Sequence, residues 1–177
     1  MFMKILVWLF AMAAGLVRVQ AADAFEQNRQ LGRGVNIIGY DPMLPESDRH
    51  LIVTVHYYIP MSFTHQGASW AGQKDKSGIA WPASDKDRVT LNTNFDKVAT
   101  WAKEHKRPIY LGEFGAYDKA PLESRVRYTD AVARAAEARG WSWGYWQFDG
   151  DFILWDMKRD AFVEPILHAL IPAKKGN

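Results

Sequence analysis

The sequence predicts an α/β fold in which about four parallel strands alternate with three main helices. Short apolar runs bounded by glycine or proline recur along the chain, and such runs are typical of buried strands. From residue 51 onward, segments with helical hydrophobic spacing lie between these runs. This alternation is typical of right-handed strand–helix–strand crossovers in a parallel sheet. A length of 177 residues is enough for one domain with a sizeable core.

Residues 1–21 have the pattern of a secretory signal peptide. Lys4 gives a positive start, residues 5–17 form an uncharged apolar run, and Ala21 supplies the small residue of a cleavage site. The run is too short for a membrane-spanning helix. We therefore expect residues 22–177 to form a single domain that is secreted or periplasmic, with no membrane segment after cleavage. The alternative is an uncleaved amphipathic start.

The strand predictions rest on short apolar runs with glycine or proline at or near their ends. The four segments are residues 34–39, 51–58, 108–115 and 141–148. The second is rich in β-branched and aromatic residues, which favour strands. The third ends in Glu113, with Gly112 before it and Gly115 two residues after it. Glycines at such positions allow the backbone or a ligand to approach closely.

The predicted helices span residues 85–106, 123–139 and 161–170. The first carries apolar residues at helical spacing on one face, and Pro108 follows its end. These apolar residues are Val89, Phe95, Val98, Ala99 and Trp101. Residues 59–84 are predicted to be a long loop, and loops of this length in a compact domain are usually functional or disordered.

Composition narrows the class of function. The net charge is only +2 and the basic residues are scattered among acidic ones, so nucleic acid is not expected as a partner. The chain has no cysteine and no histidine pair at ligand spacing, so we expect no metal and no cofactor. Eight Trp and seven Tyr are present. Their flat apolar faces and polar edges suit stacking against sugar rings, which makes a carbohydrate the expected partner.

Polar or aromatic side chains occupy the ends of three predicted strands. They are His56 and Tyr58, then Glu113, then Trp146. Because the carboxyl ends of parallel strands meet at one edge of a sheet, these four are expected to converge. A carboxylate nucleophile beside a stacking platform is typical of retaining glycoside hydrolysis. That reaction also needs a second carboxylic acid roughly 5–5.5 Å away.

The chain resembles a cellulase-type member of glycoside hydrolase family 5. The matching stretches are residues 31–36 (LGRGVN), 52–58 (IVTVHYY), 63–68 (FTHQGA), 112–115 (GEFG) and 141–146 (WSWGYW). The resemblance implies a (β/α)₈ barrel and retaining hydrolysis of β-1,4-glucans such as cellulose. It also implies that Glu113 is the nucleophile, that His56 and Tyr58 lie beside it, and that Trp146 forms the wall of the subsite for the sugar being cut.

The chain departs from the family pattern in one region. Family members carry an Asn-Glu-Pro motif that holds the acid/base, and this sequence contains no Asn-Glu pair. By the family pattern, the chain passes directly from the first strand (residues 34–39) to the sixth (residues 51–58). The dozen or so residues between them have no helical period and are too short for an ordinary parallel crossover. The prediction is therefore a half-barrel of family strands one, six, seven and eight.

A half-barrel would have two open sheet edges, which are templates for association. We therefore expect a homo-oligomer, most simply a dimer, whose copies cover each other's missing half. The missing acid/base would come from Glu113 of a second copy or from a loop carboxylate. The loop candidates are Asp41, Glu46, Asp149 and Asp151.

Two other functions stay open on the sequence. The first is a carbohydrate-binding protein without catalysis, in which Trp70, Trp81, Trp146 and Tyr58 stack sugars while Glu113 only accepts hydrogen bonds from hydroxyls. The second is an inactive barrel remnant that oligomerises. Substitution of Glu113 by glutamine separates hydrolysis from binding.

Overall fold

The computed structural model describes residues 51–173. Within this range, three parallel strands form one sheet in the order β1-β2-β3: β1 (Val53–Tyr57), β2 (Ile109–Phe114) and β3 (Ser142–Trp143). The predicted parallel pairing of these three segments is confirmed. The strand predicted at residues 34–39 lies outside the described residues.

β3 is shorter than the predicted strand at residues 141–148, because only Ser142 and Trp143 pair regularly with β2. Hydrogen bonding to β2 nevertheless continues beyond them. The N–H of Gly144 donates to the carbonyl of Leu111 at 2.8 Å, and the N–H of Trp146 donates to the carbonyl of Phe114 at 2.9 Å. The chain after β3 therefore stays attached to the end of β2, next to Glu113.

Two long helices cover one face of this sheet. α2 (Asp85–His105) and α3 (Leu122–Glu137) agree with the helices predicted at 85–106 and 123–139. Ser84 and Asp87 form a capping box at the start of α2, which satisfies free N–H groups there. The predicted apolar face of α2 is wrong at Val89 and Trp101, which are 64% and 38% exposed. Phe95 is buried as predicted, and Leu91, which was not predicted, is buried as well.

The segment predicted as a long loop contains two short helical turns. These are α1 (Met61–Thr64) and a 3₁₀ turn at Ser69–Ala71. Buried Gln66 holds this segment together with its side-chain amide. It donates to the carbonyl of Ile79 at 2.8 Å and accepts from the N–H of Ile79 at 2.9 Å. The two hydrogen bonds fix the chain between residues 66 and 79.

The last predicted helix begins later than expected. Helix α4 spans Glu164–Leu170, whereas β5 (Ala161–Phe162) pairs antiparallel with β4 (Trp155–Asp156). The Trp155 and Phe162 rings meet edge to face at 4.8 Å, which stabilises this small hairpin. Pro165 at the first turn of α4 is typical of a helix start.

The core lies between the sheet and the helices. Leu111 and Phe114 of β2 pack there with Tyr128 and Val132 of α3, and all four are fully buried. The Tyr128 hydroxyl donates to the carbonyl of Tyr57 at 3.1 Å, so the polar atom of this ring is also satisfied. α3 is thereby fixed against the carboxyl end of β1.

The opposite face of β1 is open. Along β1, Val53 and Val55 pack on the core side, whereas Thr54 and His56 are exposed. This alternation follows the two-residue period of a strand. A helix long and apolar enough to cross a membrane is absent from residues 51–173.

A β-bulge at Gly112 sets the register at the end of the sheet. Val55 lies opposite Leu111, but His56 lies opposite Glu113, so Gly112 is an extra residue in β2. A Cβ atom at Gly112 would lie 2.6 Å from the Cγ2 atom of Thr54, so only glycine fits without a shift. The bulge thereby turns Glu113 toward His56.

Candidate active site

Glu113 lies at the end of β2 and has two partners from the neighbouring strand. The Tyr58 hydroxyl donates to Oε2 of Glu113 at 2.9 Å, and Nδ1 of His56 lies 3.4 Å from the same oxygen. The structure therefore brings together the three residues that were predicted to be catalytic. Both partners contact Oε2, and within residues 51–173 neither of them contacts Oε1 of Glu113.

The electrostatics keep Tyr58 in its donor form. Burial raises the pKa of Tyr58 well above its usual value, and the hydrogen bond to Glu113 and the negative charge of that carboxylate raise it further. The Tyr58 hydroxyl consequently stays protonated at ordinary pH. It can orient the Glu113 carboxylate as a permanent hydrogen-bond donor.

A cavity of about 320 Å³ opens above Glu113. Four of its lining residues were predicted as site residues: Tyr58, Glu113, Trp70 and Trp146. Trp70 is 59% exposed and Trp146 is 40% exposed, so both indole rings present apolar surface to solvent. An acidic group with two exposed indoles beside it can bind a sugar by stacking and by hydrogen bonds to its hydroxyls.

Backbone packing positions Trp146. Its N–H donates to the carbonyl of Phe114, immediately after Glu113. Gly115 lies so close to the carbonyl oxygen of Trp146 that a Cβ atom would overlap it. The chain after β3 thus lies directly on the loop after β2, and this contact places the Trp146 ring at the cavity.

Trp70 is held from the other side. The 3₁₀ turn Ser69–Ala71 carries it, and Gly72 ends that turn in the left-handed region. The Trp70 ring meets the buried Tyr117 ring edge to face at 5.0 Å. One edge of Trp70 is therefore anchored while its remaining surface is free for a ligand.

The prediction that Trp81 binds substrate is wrong. Trp81 is only 3% exposed and its ring packs edge to face on Tyr128 at 5.4 Å. It belongs to the main core and does not line the cavity above Glu113. The sequence showed only that an aromatic residue lay in a long loop, and that signal is the same for a core residue and for a site residue.

In the part of the chain that the structure describes, four further residues line the cavity: His65, Gln147, Asp151 and Phe152. The sequence favoured a structural role for His65, and it carried no signal for Gln147 or Phe152. Asp151 was named only among the loop acids. The positions of these four follow from the loops after β1 and β3, which no local pattern fixes.

His65 and Phe152 form an aromatic layer around Tyr58. The Tyr58 ring lies 4.9 Å from the His65 ring and 5.9 Å from the Phe152 ring. Burial lowers the pKa of His65, which favours its neutral form. Nδ1 of His65 also lies 2.9 Å from the hydroxyl of Thr64, which fixes the orientation of the ring. This layer holds Tyr58 against Glu113.

A metal centre has no support in this part of the chain. Within residues 51–173, the structure contains no group of three His, Asp, Glu or Cys side chains arranged to hold a metal ion.

The fold and the site define the class of protein. Residues 21–151 match the family model described as cellulase (glycosyl hydrolase family 5), and the chain belongs to this family. Its parallel strand–helix units are consistent with part of the family's barrel. Among curated relatives, it is 33% identical over 129 residues to endoglucanase H of Acetivibrio thermocellus, covering 70% of this chain and 13% of that protein. Endoglucanase B of Clostridium cellulovorans is 32% identical over 111 residues, which cover 59% of this chain and 24% of that protein.

Solved structures show the same similarity. A hyperthermophilic endo-β-1,4-glucanase in complex with substrate is 41% identical with a TM-score of 0.69, covering 72% of this chain and 41% of that one. Thermotoga maritima Cel5A in complex with cellobiose is 45% identical with a TM-score of 0.69, and the match covers 72% of this chain and 42% of that one. The chain thus spans about two fifths of the length of these structures.

Proposed function

We propose that this protein is a secreted or periplasmic retaining endo-β-1,4-glucanase with Glu113 as its nucleophile. The observation that carries the proposal is the oriented carboxylate of Glu113, which accepts a hydrogen bond from Tyr58 and faces a cavity flanked by Trp70 and Trp146. The endoglucanase relatives, and the solved relatives that hold substrate or cellobiose, support a β-glucan as the substrate. The signal-peptide pattern of residues 1–21 supports export.

In the proposed reaction, a glucan chain lies in the cavity with its sugar rings stacked on Trp146 and Trp70. A carboxylate oxygen of Glu113 attacks the anomeric carbon and forms a covalent glycosyl-enzyme, which water then hydrolyses. Among residues 51–173, Tyr58 and His56 contact Oε2, and Oε1 is the oxygen that we assign to the attack. Tyr58 holds the carboxylate in one orientation during this step.

The acid/base of this reaction must come from outside the family's usual motif, because the sequence contains no Asn-Glu pair. The sources are Glu113 of a second copy, Asp41 or Glu46, which lie outside the described residues, and Asp149 or Asp151 in the loop after β3. The open sheet edges expected of a half-barrel would favour association of two copies. A dimer or higher oligomer is expected by light scattering, and a monomeric mass for folded protein would contradict it.

The second candidate function is carbohydrate binding without catalysis. The exposed indoles of Trp70 and Trp146 favour it, since they need no acid/base to stack a sugar. In that case, Glu113 accepts hydrogen bonds from hydroxyl groups and breaks no bond.

Two assays on the Glu113→Gln variant separate these functions. The first measures reducing-sugar release from a soluble β-glucan, and the second measures cello-oligosaccharide binding by calorimetry. Lost turnover with retained binding supports hydrolysis by Glu113. Turnover that the variant retains would contradict the nucleophile assignment. A wild-type protein that binds oligosaccharide and releases no sugar would support the binding function instead.

A further inference from the structure

We propose that Asp151 is the acid/base that completes the site around Glu113, an inference that rests on the proposed hydrolase function. Among residues 51–173, Glu113 and Asp151 are the two carboxylates that line the cavity. Asp149 belongs to the same loop, but it does not line this cavity. The structure therefore distinguishes between two loop acids that the sequence left equivalent.

Two hydrogen bonds fix the backbone at and directly after Asp151. The N–H of Asp118 donates to the carbonyl of Asp151 at 2.8 Å, and the Tyr145 hydroxyl donates to the carbonyl of Phe152 at 2.9 Å. Phe152 itself is buried, whereas Asp151 is exposed and lines the cavity. These anchors hold the loop that carries Asp151 at the cavity, and a group that transfers protons must be positioned there.

An aromatic layer connects Asp151 to the nucleophile. Phe152, the next residue, packs on the Tyr58 ring at 5.9 Å, and Tyr58 donates its hydroxyl hydrogen to Glu113. The two carboxylates border the same cavity, and Tyr58 and Phe152 line it as well.

Asp151 and Trp70 border the same cavity. Burial raises the pKa of Tyr117, the negative charges of Asp151 and Asp118 raise it further, and the Tyr117 ring is the one that supports Trp70. Asp151 thus lies at the same cavity as one of the two indoles that would stack a sugar.

The chemical step balances with these two residues and water alone. In the first half, Asp151 gives its proton to the glycosidic oxygen as the C1–O bond breaks, and a Glu113 oxygen forms a bond to C1. In the second half, the Asp151 carboxylate takes a proton from water while the water oxygen bonds to C1. The Glu113–C1 bond breaks as the bond to the water oxygen forms, and both residues return to their initial states.

The test compares Asp151→Asn with wild type on two substrates, with and without sodium azide. The substrates are cellotetraose and 2,4-dinitrophenyl β-cellobioside, whose leaving group needs no proton. We expect Asp151→Asn to lose roughly 10²–10⁴-fold in turnover of cellotetraose. It should retain the first half-reaction with the dinitrophenyl substrate, and azide should speed turnover and give β-cellobiosyl azide. A residue that only binds sugar or supports the fold would not give this product.

Two matched variants make the outcome decisive. Asp118→Asn removes a neighbouring carboxylate that also acts on Tyr117 but does not line the cavity, and it should keep wild-type turnover. Glu113→Gln should lose turnover of both substrates with no rescue by azide. Wild-type activity of Asp151→Asn, equal losses on both substrates without an azide product, or an azide product from Asp149→Asn instead would overturn the assignment.

The proposed function and this inference fail in different ways. If Glu113→Gln is inactive and Asp151→Asn is not rescued, the nucleophile assignment stands and the acid/base lies elsewhere. If Glu113→Gln keeps wild-type turnover, or the wild-type protein cleaves neither substrate, the proposed function itself fails and the role of Asp151 fails with it.

Discussion

Replacement of Gly112 by alanine tests whether the bulge in β2 sets the geometry of the site. The new Cβ atom would lie 2.6 Å from Cγ2 of Thr54, whereas carbon atoms pack at about 3.5–4.0 Å. The next nearest side-chain atom is Nε2 of His56 at 3.5 Å, which is an ordinary contact. Either Thr54 must leave its rotamer, or β1 and β2 must move apart by about 1 Å.

The loss in the free energy of unfolding that we expect for Gly112→Ala is modest and can be calculated. Overpacking of this kind costs about 1–3 kcal/mol, and the loss of glycine's chain entropy in a strand returns about 0.5–1 kcal/mol. Gly112 has no positive φ, so backbone strain adds nothing. The net destabilisation is therefore about 1–2 kcal/mol, which lowers the Tm of a domain of this size by roughly 3–8 °C.

Thermal unfolding and turnover of a soluble β-glucan measure the two effects. Gly112→Ala should lower both Tm and kcat, because Glu113 is the next residue and its register with His56 depends on the bulge. The matched test is the double variant with Thr54→Ser, which removes the Cγ2 methyl group and should restore both values. A Gly112→Ala protein with wild-type Tm and kcat, or a double variant that recovers neither, would refute the steric argument.

Two further predictions distinguish a core residue from a site residue. Trp81→Ala should lower the free energy of unfolding by about 3–5 kcal/mol, because it empties a core position against Tyr128. Urea unfolding measures this change, and a loss below about 1 kcal/mol would mean that Trp81 is not a core residue. Tyr58→Phe removes a hydrogen bond to a charged group, worth about 1.5–3 kcal/mol, so kcat/KM should fall roughly ten- to hundred-fold. Its urea midpoint should stay near that of wild type, and unchanged kcat/KM would show that Tyr58 does not orient Glu113.

Local patterns were sufficient to predict the two long helices and the parallel strands β1 and β2 of the described region. The spacing of apolar residues and the positions of proline and glycine at segment ends can be read from neighbouring residues alone. α2 and α3 accordingly begin and end within one or two residues of their predicted bounds. The convergence of His56, Tyr58 and Glu113 was also predictable. It follows from a general property of parallel sheets, whose strand ends meet at one edge.

The loops were not predictable in the same way. Trp70 and Trp81 belong to one segment of the sequence and have the same residue type, yet Trp70 lines the cavity and Trp81 lies in the core. Which indole faces solvent depends on the long-range contacts that hold the segment, including the hydrogen bonds between Gln66 and Ile79. No local signal carries that information.

The sequence by itself determined the family and the alternation of parallel strands with long helices, because both depend on residue types at fixed spacing. Only the tertiary structure decided that Gly112 bulges and that Asp151, not Asp149, reaches the cavity. Gly112 packs closely against Thr54 of the neighbouring strand, and hydrogen bonds to Asp118 and Tyr145 fix the backbone of the loop that carries Asp151. These contacts join residues far apart in the chain, and only folding brings such residues together.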